Sequence, residues 1–434
     1  MRVSRYVLTV LTIVILSMPA WSQAVRIDIA GGVDRRVPVA VPDFAAAPGL
    51  EAIAREMTEV VVQDLAFTGL CRILPRNAYP ASFTGFTADP AGIDFGRWEA
   101  TKIDFLVYAH VTEDPNAIMA ECRMFDVGTA TQVVGKRFTT SRTVPRLIAH
   151  RFSEEIIRCI DGIAGIGSSQ VCFSAGKSGN KEICVADYDG ANARQVTRHN
   201  SISIKPKFSP DGAKIAYLSF KDRYPFLYIL DLATGTSTPF SKNVGLNAAP
   251  AWAPDGQSLA LVLSKDANTE IYARNIDGTG ERRLTNNRAG DTSPTFAPDG
   301  KQIAFVSDRA GKPQIFCMNA DGSNLRRLSY QGGSAYDPAW SPNGRLIAYV
   351  VSKSGEGFEI YVMDSDGRNP RRLTDSAGTN ESPSWSADSR HVVFGSTRSG
   401  RSELWAVNVE PPHEQHYLPM GDLRCEGPSW GPRR

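Results

Sequence analysis

The sequence has no Cys-x-x-Cys pair, no set of ligands at zinc spacing, no phosphate-binding glycine loop and no excess of either charge once its first residues are set aside. Each absence removes a class of function. Without ligand spacing there is no sign of a structural metal site, and no cofactor is expected. Arg2 and Arg5 are the only charges in residues 1–24, so the remainder carries 46 basic and 46 acidic residues. A neutral chain argues against nucleic-acid binding driven by counterion release. After residue 24, no segment nears the roughly 18–20 uninterrupted apolar residues of a membrane helix, so no membrane insertion is expected.

What the N-terminus does have is an apolar run from Tyr6 to Met18 behind two arginines, then Pro19 and the small-x-small pattern Ser22-Gln23-Ala24. That order is a secretory signal peptide over residues 1–24. Cleavage is expected after Ala24, with the cut after Ser22 as the alternative. No cysteine stands at the junction, which argues against a lipid anchor. The expected product is exported and soluble, in an oxidising compartment. Seven cysteines cannot all pair within one chain. Cys172 and Cys184, flanking a turn at 176–180, are the pair to test first, and buried free thiols are an equal alternative.

The second half repeats a phrase: Pro206-Lys207-Phe208-Ser209-Pro210-Asp211-Gly212, Pro250-Ala251-Trp252-Ala253-Pro254-Asp255-Gly256, and onward to Pro428-Ser429-Trp430. Its leading prolines, Pro206, Pro250, Pro294, Pro338, Pro383 and Pro428, are spaced 44, 44, 44, 45 and 45 apart. Each Asp-Gly or Asn-Gly signals a hairpin turn. An apolar run follows, then a strand usually carrying an aromatic, then a polar strand such as Arg282-Arg283-Leu284-Thr285. Four strands in about 44 residues make one propeller blade. The opening phrase is missing near residue 171 and stands alone at Pro428, so three strands from the start and one from the end complete a sixth blade. The expected fold is an α/β N-terminal domain over 25–165, a linker at 162–169, and an all-β six-bladed β-propeller over 169–434 closed by strands from both ends. In the first domain, Leu50, Ile53, Ala54, Met57, Val60, Val61 and Leu65, with Asp64 on the same stripe, mark a helix from about 49 to 66. A second helix is expected from about 144 to 160.

Sites that mimic chemistry dissolve in the repeat. Gly427-Pro428-Ser429-Trp430-Gly431 matches a nucleophile elbow by letter, but Ser429 fills the place of Ala251, Thr295, Ala339 and Ser384. Asp187-x-Asp189-Gly190 lacks the rest of a calcium loop. His413-Glu414-Gln415-His416 lacks zinc spacing and reads as a polar loop. The recurrent paired arginines are expected to protect sheet edges. No catalytic residue and no metal ligand is assigned, although a weakly held cation on the axis stays open. What remains is an end-face built by the turns before each inner strand: Leu246-Asn247, Asp291-Thr292-Ser293, Tyr336-Asp337 and Asn380-Glu381, with acids converging on the axis.

These features together resemble the TolB family, the periplasmic component of the Tol-Pal system of Gram-negative bacteria. The phrase Val25-Arg26-Ile27-Asp28-Ile29-Ala30-Gly31-Gly32-Val33-Asp34, the domain order and the Ser-Pro-Asp-Gly repeats carry the resemblance over the whole mature length. It implies a non-enzymatic scaffold that binds Pal through the propeller face and TolA through Val25, Arg26, Ile27, Asp28, Ile29, Ala30, Gly31, Gly32 and Val33. Other outer-membrane lipoproteins or porins are further possible partners. It also implies roles in outer-membrane integrity and constriction at division. Leu246 departs from the pattern, since a histidine is expected there in enterobacterial members. The competing reading is a propeller-bearing periplasmic hydrolase of the prolyl-oligopeptidase type, which would need a nucleophile outside the repeats. A third, a sugar- or lactone-processing propeller, would need several inward carboxylates or histidines around a metal.

Overall fold

The periodic half folds into six four-stranded antiparallel sheets, shown by a computed structural model that describes residues 36–434 apart from 82, 84, 86–89, 115–116, 177–178, 331, 354, 356 and 376–377. The leader and the Val25–Val33 segment therefore lie outside the described residues. The first blade comprises Ser203–Phe208, Lys214–Ser219, Phe226–Asp231 and Ser237–Ser241, and the next four follow in chain order. In the sixth, Arg424–Trp430 pairs antiparallel with Gln170–Gly176, followed by Glu182–Asp187 and Arg194–Gln195. Second and third strands are apolar on both faces because each sheet is covered by a neighbouring blade, so the core forms as separate clusters between blades.

Each Ser-Pro-Asp-Gly phrase is a turn in which glycine alone takes the left-handed backbone. In the first, Gly212 has φ +71° and donates to the Ser209 carbonyl at 2.9 Å, while the Asp211 carboxylate accepts from the Ala213 amide at 3.0 Å. Asp serves through its side chain and needs no positive φ of its own. Where the phrase decays, Ser389 must adopt φ +62° without glycine's freedom. The aromatic of the phrase ties blades together: Trp252 Nε1 donates to the Lys207 carbonyl at 3.0 Å, and Trp385 Nε1 to that of Ala339 at 2.8 Å.

Two sequence-based expectations are corrected here. All seven cysteines are free. Cys172 cannot bridge to Cys184, because the register sets Phe173 opposite Cys184 and Cys172 opposite Val185, so the two thiols leave opposite faces of the sheet. The paired arginines do more than guard edges. In two of the three pairs the second arginine holds a buried acid, Arg283 with Glu270 at 3.1 Å and Arg372 with Glu359 at 2.6 Å. There the outer strand's Thr or Ser also reaches the third strand, as when Thr285 Oγ1 accepts from the Ile271 amide at 2.9 Å.

The N-terminal domain has a sheet ordered Cys71–Ile73, Val37–Ala40, Phe105–Asp114, Ala117–Asp126, Thr131–Thr140, with helices Glu51–Phe67 and Pro145–Asp161 packed on one face. Its helices dock on the end of the propeller that bears the Asp-Gly turns. Arg146 pairs with Asp189 and Arg390 with Asp161 across the boundary, and the Phe67 ring lies between Tyr188, His391 and His416. Of the His413–His416 stretch, only the first two residues are loop, as expected. Gln415–Leu418 is a strand, and burial pushes the His416 imidazole down to about 4. The connection after Gly162 is clasped too: Arg433 donates to the Ala164 and Gly165 carbonyls, and Ser168 donates to the buried Glu154.

Candidate functional site

The opposite end of the propeller carries the connections between blades and the turns between second and third strands. On each inner strand the antiparallel register slips by one residue just before the proline. That bulge places one residue per blade in the left-handed region, namely Lys205, Ala249, Ser293, Asp337, Ser382 and Gly427, with φ between +45° and +59°. These six form a collar around the axis. Lys205 on the first blade and Asp337 on the fourth stand diametrically opposed, and their ion pair closes at 3.3 Å. Lys205 Nζ also donates to Ser382 Oγ at 2.9 Å, while Asp337 accepts from Ser293 at 3.3 Å and from Ser382 at 3.2 Å. Burial opposes ionisation of Asp337, but Lys205 and Lys207 outweigh it and hold the carboxyl below its ordinary range.

A cavity of about 400 Å³ lies on the turn side of the axis and one of about 300 Å³ on this side. The second is walled by Ile204, Leu246, Ala248, Val262 and the repeat prolines. Beside it, on the first blade and its connection to the second, four large apolar side chains are exposed among charged ones such as Arg223 and Lys242. Val244 is 89% exposed, Tyr224 64%, and Ile202 and Phe220 lie beside each other, the Phe220 amide donating to the Ile202 carbonyl at 2.9 Å. Sequence reasoning missed these four, which sit outside the repeated phrase. Long side chains at blade connections were the available signal.

The residues expected on the face divide sharply. Leu246, Thr292, Ser293 and Asp337 line the concavity partly buried, Tyr336 packs half-buried between blades, and Glu381 is exposed. Asn247, Asp291 and Asn380 are 0% exposed, which corrects their assignment to exposed turns. All three open an inner strand and point between blades. Asn247 Oδ1 accepts from Ser241 Oγ at 2.7 Å, Asn380 Oδ1 from Ser396 Oγ at 2.8 Å, and Asp291 holds Arg309 at 2.7 Å. Strand alternation aims the first residue inward to the sheet packing, and the bulge then turns the third toward the axis. Asp291→Asn is accordingly expected to lower stability by about 2 kcal/mol through a weakened charged hydrogen bond, visible as a lower melting temperature. Unchanged melting would place Asp291 on the surface after all.

Ser429 is buried in the last strand, its hydroxyl accepting from the Phe208 amide at 3.3 Å, and Gly427 before it is a collar residue rather than part of an elbow. Asp187 and Asp189 bond Asn192 and Arg146. No group of three or more His, Cys, Asp or Glu gathers as a metal site among the described residues.

Comparison with known proteins places this architecture. Residues 158–434 match the model described as the TolB beta propeller domain, and residues 25–133 that of the TolB amino-terminal domain. Curated relatives include the Tol-Pal system protein TolB of Cereibacter sphaeroides, 33% identical over 226 residues and 50% of each chain, and that of Desulfosudis oleivorans, 34% identical over 250 residues and 56% of each. The chain spans about half the length of the curated relatives it matches. The crystal structure of TolB from Acinetobacter baumannii superposes with a TM-score of 0.81 at 26% identity, covering 92% of this chain and 97% of that one.

Proposed function

This chain belongs to the TolB family of the Tol-Pal system, and from that premise we propose that it is a non-catalytic periplasmic scaffold, binding Pal with the open propeller face and TolA with residues 25–33. In this role it supports outer-membrane integrity and constriction at division. The observation that carries the reading is the character of the open face. Exposed Ile202, Phe220, Tyr224 and Val244 cluster on the first blade and its link to the second, beside a concavity in which Lys205 and Asp337 pair with each other. Exposed apolar side chains rimmed by polar ones suit a protein partner. Leu246, in the wall of the concavity, extends the apolar surface inward.

The test uses the full mature chain and purified Pal. Val244→Glu and Glu381→Lys are each expected to weaken binding by about tenfold, or about 1.4 kcal/mol, without shifting the melting temperature, since both side chains reach solvent. Unaltered affinity in both variants would move the interface elsewhere.

A further inference from the structure

We propose that the chamber at the turn end of the propeller axis is a binding site for a small organic anion, a carboxylate borne on a flat apolar body, with Lys207 as its counter-charge. The chamber of about 400 Å³ falls in the size range of small-molecule sites. Its walls repeat by blade: Phe208, Trp252, Phe296, Trp340, Trp385 and Trp430. The indole N–H groups are spent on the protein itself, on the carbonyls of Lys207, Gly344 and Ala339 and on Ser169 Oγ, so the rings offer the cavity apolar surface and π-faces.

Among the residues lining this chamber, Lys207 is the one with a charged side chain. It reaches both axial cavities, and its partial accessibility is to them. Its ammonium has no ion pair or hydrogen bond among the described residues, whereas Lys205 has Asp337 and Ser382. Asp337 is the carboxylate that acts on it and is already held by Lys205, Ser293 and Ser382. The neighbouring Cys172 supplies no negative charge, because burial pushes its thiol up to about 12. Lys205 is thus served by Asp337 and has Glu381 nearby as well, while the Lys207 ammonium has no bonded carboxylate of its own. Burial also lowers the Lys207 pKa below the ordinary lysine range, so the fold alone would gain from an apolar residue at this position. One unpartnered ammonium, lacking the fork of an arginine, matches one negative charge with little angular demand, and the ring walls fit a planar body behind it.

The probe is 2-naphthoate, with 2-naphthamide as a neutral molecule of nearly the same shape, titrated into the full mature chain by calorimetry and followed by tryptophan fluorescence. One naphthoate is expected per chain, with the amide at least about tenfold weaker. Lys207→Met should bring the two ligands within about threefold of each other and raise the melting temperature, while Lys205→Met should keep the preference for the anion. Lys207→Gln repeats the comparison should the methionine variant fold poorly. The assignment is overturned if neither ligand binds the wild-type chain at about 1 mM, if both bind it equally, or if Lys207→Met retains the preference.

Discussion

A chain lacking residues 25–33 is expected to lose TolA binding by at least about a hundredfold while holding Pal within about threefold, a difference below about 1 kcal/mol. The argument starts from the alternation Val25, Ile27, Ile29 against Arg26, Asp28, which suits a strand added to the edge of a partner's sheet, with Gly31-Gly32 as a hinge behind it. The fold should tolerate the deletion. Val37–Ala40 is already paired on both sides in its own sheet, by Cys71–Ile73 and Phe105–Asp114. The two partners should also act independently. Val37 donates to the Leu70 carbonyl, and Gly69 lies against the Asn408 side chain, so the first described strand begins beside the turn end of the propeller. The face proposed for Pal is at the other end. Pull-down and calorimetry with the two purified partners check both halves, and TolA binding by the shortened chain would sink the assignment.

The blades were legible because a propeller writes its period into turn chemistry: proline, aspartate and glycine recur at the one place where each blade must reverse. The helices were legible from apolar spacing, and Glu51–Phe67 and Pro145–Asp161 fall within a residue or two of expectation. The short strand Ala45–Ala46 and helix Phe95–Glu99 were not, since neither is long enough to show a period. Orientation at the inner-strand openings was the deeper loss. Asp291 and Asp337 both look like acids in a turn before a proline, yet one is buried against Arg309 and the other closes the axis. The bulge decides between them. Its trace in the sequence is the residue before each repeat proline, which is Ala, Ser, Asp, Ser or Gly in five blades and Lys205 in the first. Glycine and Asx-type residues bear the left-handed backbone at least cost, alanine and serine add little bulk there, and Lys205 is the long side chain among the six, directed to the axis.

Asp64→Ala is expected to cost about 3–5 kcal/mol, because it strips a buried carboxylate from three donors at once. Asp64 belongs to the apolar stripe of the first helix and is buried there. It accepts from His150 Nδ1 at 2.9 Å, from Ser153 Oγ, and from the propeller's Tyr188 hydroxyl at 2.5 Å, so one carboxylate joins both helices to the other domain. Tyr188→Phe removes a single donor and should cost only about 1–2 kcal/mol. The pH dependence separates this role from simple packing. Burial alone would push the His150 pKa down, but the adjacent Asp64 carboxylate reverses the direction and holds it above the ordinary value. A histidine raised in the folded state contributes stability that is fully present below its unfolded pKa of about 6.5 and is lost as pH rises through the folded value. Without Asp64 that contribution disappears and burial disfavours the imidazolium. The gap in melting temperature between wild type and Asp64→Ala should therefore be wider at about pH 5.5 than at about pH 8.5. A gap independent of pH would mean that Asp64 only fills space between the helices.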